Sequence, residues 1–87
     1  MTNDRIGLID AIMSGFFRKA VAFKDAMSRI AAILVESDSP LGVVWTARLA
    51  KCPARVGREA SVVMMMQAHG ELRQAGFSRV ESYLYDC

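Results

Sequence analysis

Apolar side chains recur along the first third of the chain at Ile6, Ile9, Met13, Phe16, Ala20, Phe23, Met27, Ile30 and Leu34. The steps alternate between three and four residues without a slip, which is the period of one face of an α-helix. A half-buried strand alternates every second residue and cannot produce this spacing. The pattern predicts one amphipathic helix over about 3–36, with its seam running from Ile6 to Leu34. Ile12, Phe17 and Ile33 lie beside the seam and widen it, which suits a multi-helix bundle better than a two-stranded coil. Gly15, next to Ser14, offers the alternative of a bend that divides the segment into two shorter helices.

Length turns this seam into an expectation about association. A straight helix over 3–36 is roughly 50 Å long at about 1.5 Å per residue. A compact chain of 87 residues has a radius of gyration of only about 12 Å. Such a helix overhangs its own domain, and its exposed seam calls for a second copy or another protein. Composition adds to this, because 53% of the residues are hydrophobic while so short a chain buries only somewhat over ~60% of its unfolded surface. The expected partner surface is Met13, Phe16, Phe17, Phe23, Met27 and Ile30. Met65 or Met66 joins it, since three consecutive methionines on a helix cannot all face one core.

Downstream, Ser39 and Pro40 form a cap and first-turn pair that predicts a second helix over about 40–51. Pro53 opens a third over about 53–75, with Val56, Ala60, Val63, Met64, Ala68, Leu72 and Ala75 as its inner face. Gly76 suits the left-handed position after a helix end. Ser78 and Glu81 have capping-box spacing, which favours a short helix over about 78–85, with a strand as the alternative. The whole chain, 1–87, reads as one all-α domain: a long first helix bundled with two or three shorter ones.

Chemistry is sparse. His69 is the one histidine, and with Cys52 and Cys87 it has no close zinc-type spacing. It reads as a partly exposed helix residue. Phosphate loops and nucleophile elbows are absent from the sequence. No catalytic residue, metal site or cofactor is therefore expected. Two cysteines do not make a disulfide framework, and no secretory signal opens the sequence, so a reduced, cytoplasmic protein is expected.

The net charge of +2 is small, but the segment 48–58 carries Arg48, Lys51, Arg55 and Arg58 and no acid. This patch suits an acidic protein surface or a nucleic acid. The leading expectation is a non-enzymatic helical protein that forms a homodimer and binds another protein as an adaptor, chaperone or inhibitor. The alternative is a transcriptional regulator of helix-turn-helix type that uses the basic patch. Against it, Val and Met crowd the helix that would have to read bases.

Overall fold

The computed structural model describes residues 2–83. Four helices follow one another: α1 (Thr2–Phe17), α2 (Phe23–Glu36), α3 (Pro40–Lys51) and α4 (Arg58–Gln74). Among the described residues there is no strand. The fold is all-α.

The single helix expected over 3–36 is two helices, and the break lies after Gly15 rather than at it. α1 closes with a Schellman motif. The Lys19 amide donates to the Phe16 carbonyl at 3.0 Å, and the Ala20 amide donates to Gly15 at 2.8 Å. Lys19 takes the left-handed conformation this motif requires, with φ 67°. Gly15 stays inside α1 and serves the turn differently. A Cβ there would stand 2.7 Å from Val21 Cγ2, so glycine makes room for the returning chain.

The fold-back sets the two halves of the seam against each other. Ile9, Met13 and Phe16 of α1 and Ile30 and Leu34 of α2 are almost wholly enclosed, with Met27 close behind. Ala20 alone among the seam positions is exposed, because it lies in the joint. Burying a large apolar side chain of this kind contributes roughly 1.5–3 kcal/mol relative to leaving it in water. The radius of gyration is 12.0 Å and the extents are 33 × 29 × 20 Å. No helix overhangs, so the geometric ground for self-association through the seam falls away.

α2 ends with a second Schellman motif, in which Asp38 holds φ 56°. The Asp38 amide donates to Val35 at 3.1 Å and the Ser39 amide to Leu34 at 3.1 Å. Ser39 then caps α3 by accepting from the Leu41 amide at 3.2 Å, with Pro40 in the first turn. α2 and α3 approach closely at Gly42, where a Cβ would lie 3.0 Å from the Val35 backbone. Behind this contact Trp45 is fully buried.

α4 starts five residues later than Pro53 suggests. Cys52, preceding Pro53, has φ −70° and ψ 131°, the extended conformation favoured before proline. The chain then runs without regular structure, bends at Ala54 and enters α4 through Gly57. Arg58 explains the delay. Its guanidinium donates to the carbonyls of Phe16 at 3.1 Å and Phe17 at 3.0 Å, and it lies 4.7 Å from the Phe16 ring centroid. A cation thereby meets the negative end of α1 and ties the start of α4 to it.

The inner face of α4 is also corrected. It is Ser61, Met65, Ala68, His69 and Leu72, while Val63 and Met64 point outward. A third Schellman motif ends the helix: Gly76 has φ 85°, and the Phe77 amide donates to Leu72 at 2.7 Å. Residues 78–82 then form neither helix nor strand. The capping box does not form, because the Ser78 hydroxyl donates to Asp10 Oδ1 at 2.7 Å and accepts from the Val80 amide instead. Leu84 and Tyr85, and with them the end of the expected 78–85 element, lie outside the described residues.

Candidate functional site

Of the expected partner residues, Met13, Phe16, Phe17, Phe23, Met27, Ile30 and Met65 belong to the core of this chain. Only Met66 faces outward, 38% exposed. The remaining large exposed apolar side chains are spread over all four helices, with Leu8 on α1, Val35 on α2, Val43 on α3 and Val63 on α4. Val44 adjoins Val43 on α3, and Met64 and Met66 adjoin Val63 on α4, whereas Leu8 and Val35 stand singly and carry no functional signal.

The basic patch is also divided. Arg48 pairs with Glu71 across α3 and α4, Nη1 to Oε1 at 2.8 Å with a second bond from Nη2 to Oε2. That pairing raises the Arg48 pKa and lowers that of Glu71. Burial opposes both shifts, and the Trp45 indole adds a smaller push to Glu71 in the same direction as Arg48. The indole nitrogen itself makes no hydrogen bond of regular geometry. Arg58 is engaged by α1 as described. Lys51 and Arg55 are exposed.

The fold assembles a different cationic group. A cleft of about 490 Å³ opens between the start of α2 and the linker before α4, lined by Ala22, Phe23, Lys24, Ala54, Arg55, Val56 and Gly57. It adjoins a second depression of about 370 Å³ that shares Ala22, Phe23 and Val56 and adds Lys19 and Arg58. The shared floor is apolar. The rim holds Lys19, Lys24, Arg55 and Arg58, and among the described residues no acid lines either part. Two helix starts meet here, and neither Ala22 nor Gly57 supplies a side-chain cap. Helix amino ends carry partial positive charge, which reinforces the rim. Asp25, the acid in the first turn of α2, is paired with Arg29 at 3.1 Å.

Sequence reasoning grouped Arg48, Lys51, Arg55 and Arg58 by proximity along the chain and missed Lys19 and Lys24. Their usable signal is the α1–α2 joint, which the unbroken seam conceals.

Among the described residues no group of three or more His, Cys, Asp or Glu side chains is placed to hold a metal ion. Cys52 is free and half-buried, and Cys87 lies outside the described residues. Among the described residues no helix is long and apolar enough to cross a membrane. A scan of family models finds no match to this chain, and comparisons with curated proteins and with solved structures likewise return none.

Proposed function

We propose that this chain is a non-catalytic binding module that holds an acidic segment of another protein in the cleft between α2 and the 53–57 linker, and so modulates that protein as an adaptor or inhibitor. The observation that carries the reading is the pairing of an apolar floor, Phe23 and Val56, with a rim of four cations and no lining acid among the described residues. An apolar side chain of the segment would fill the floor, and flanking carboxylates would meet Lys19, Lys24 and Arg55. Charge on the rim favours fast, salt-sensitive encounter, while the buried apolar anchor limits dissociation. Arg58 is a positioning residue in this scheme, because its guanidinium is already held by α1.

Fluorescence anisotropy with a labelled acidic peptide bearing a central leucine tests this. The Lys24→Glu, Arg55→Glu double variant is expected to weaken binding by about tenfold or more, equivalent to about 1.4 kcal/mol. A neutral peptide of the same length is expected to bind poorly. Equal binding of acidic and neutral peptides, or an unchanged affinity in the double variant, would sink the proposal. Tighter binding to duplex DNA, with affinity falling steeply with salt, would replace the acidic peptide by nucleic acid as ligand.

A further inference from the structure

The outer side of α4 carries a second seam. Glu59, Val63, Met66, Gly70 and Arg73 follow one another at steps of four, three, four and three residues, and all five are exposed. On a helix this spacing keeps them on one face, opposite the buried stripe of Ser61, Met65, Ala68 and Leu72. The middle of the face is apolar, with Val63 54% exposed. Its two ends are charged and of opposite sign. The ion pairs among the described residues, Asp25 with Arg29 and Arg48 with Glu71, include neither Glu59 nor Arg73. Arg73 Nη1 donates to the Glu81 carbonyl at 3.4 Å, a long bond that uses one of the five N–H groups of a guanidinium.

Gly70 is the second peculiarity of this face. Glycine inside a helix is destabilising relative to alanine, and nothing within this chain requires it. Its φ is not in the left-handed region, and a Cβ there would meet nothing within 4 Å. Beside it opens a hollow of about 160 Å³ whose apolar lining includes Met66, Phe17 and Tyr83.

We propose that a second copy of this chain docks on this face, with the two α4 helices antiparallel and related by a twofold axis at Met66. Glu59 and Arg73 are each seven residues from Met66, about 10 Å along the helix at about 1.5 Å per residue. The axis therefore brings each carboxylate to a guanidinium of the other copy. Val63 and Gly70 lie three and four residues from Met66, so each valine stands over a glycine of the other copy and enters the hollow beside it. The missing side chain at Gly70 lets the two helices approach there. Charge order selects the occupant and its direction. A parallel pair sets Glu59 against Glu59 and Arg73 against Arg73, whereas the antiparallel pair satisfies both ends twice, which is the self-complementarity of a twofold interface. One helix face per copy puts the contact at or below about 1,200 Å² in total, the size class of transient complexes. The dimer is accordingly weak and assembles as concentration rises. The pairing does not involve the cleft and holds whether or not the cleft binds a partner.

Sedimentation equilibrium on the full chain at concentrations up to about 1 mM tests the pairing. The natural chain is expected to pass from monomer toward dimer over that range. Gly70→Gln fills the gap with a good helix former, so the monomer is expected to keep or raise its thermal midpoint while dimerisation weakens about tenfold or more. Glu59→Arg and Arg73→Glu are each expected to weaken the dimer several-fold. Mixed in equal amounts, these two variants are expected to form a heterodimer about as readily as the natural chain dimerises, because both ends of the antiparallel pair are again of opposite sign. A natural chain that stays monomeric throughout overturns the proposal and leaves the face to a partner of another kind. Dimerisation unmoved by Gly70→Gln, or a mixture that associates no better than its separate components, overturns it as well, since either result puts the contact elsewhere or in another orientation. Should Gly70→Gln lower the stability of the monomer, the charge-exchange mixture decides.

Discussion

The pair α2 and α3 and the unit formed by α4 with residues 77–83 are joined to the molecule by opposite means. α2 and α3 meet backbone to backbone at Gly42 and Val35 and enclose Trp45. α4 has a buried stripe of its own in Met65, Ala68 and Leu72, but its ends are fastened by polar clasps: Arg58 on the α1 carbonyls, Glu71 on Arg48, and His69 with Ser78 on Asp10. Apolar packing at close range is indifferent to salt and pH. The Arg48–Glu71 pair and Arg58 lie toward the surface, where salt screens charge–charge attraction. The difference teaches that one molecule of this size can contain a rigid half and a tunable half, and α4 with the residues after it is expected to open first.

Breaking the rigid half has the largest expected effect. Gly42→Ala forces a methyl group to within 3.0 Å of the Val35 backbone, which cannot yield as a flexible side chain does. A loss of roughly 1–3 kcal/mol is expected in chemical denaturation. It should be independent of salt. A loss below the error of the measurement would show that α2 and α3 are not packed as closely as described.

Breaking the tunable half comes next. Arg58→Met removes two hydrogen bonds and the contact with the Phe16 ring while keeping an apolar stem. The residue is exposed, so the expected loss is only about 1 kcal/mol. Hydrogen exchange should place that loss in α4 and leave α2 and α3 unchanged. A uniform loss across all four helices would erase the distinction between the halves.

The smallest effect has the opposite sign and compares the two joints. Lys19 and Asp38 occupy equivalent left-handed positions in the turns after α1 and α2. Glycine relieves the crowding that a Cβ suffers there. Lys19→Gly and Asp38→Gly are each expected to raise the midpoint of thermal unfolding, by up to about 1 kcal/mol of stability. The gain should be smaller for Asp38, since aspartate tolerates this conformation better than lysine.

These joints also explain what the sequence could and could not reveal. The seam names the core correctly at Ile9, Met13, Phe16, Met27, Ile30 and Leu34. Periodicity reports which side chains share an inner face, but not whether that face belongs to one straight helix or to two that fold together. The joint here happens to preserve the three-four register, so the pattern runs through it unmarked. Glycine is the usual flag for a left-handed turn, and Lys19 and Asp38 carry none, whereas Gly76 is legible. The start of α4 was obscured because Pro53 is a good first helical residue in isolation. The long-range bond from Arg58 to α1 outweighs that preference. The cleft was invisible for the same reason, since Lys19 and Lys24 meet Arg55 only after the chain has turned back.

Lys19 joins two of these observations. The residue held in the least comfortable backbone conformation of the α1–α2 turn is also a cation on the rim of the cleft. Replacing it with glycine relaxes the turn and removes a charge in one step, so robustness and recognition pull on this position in opposite directions. A chain selected only for thermal endurance would drift toward glycine at residue 19, whereas one selected for an acidic partner would keep the strained lysine.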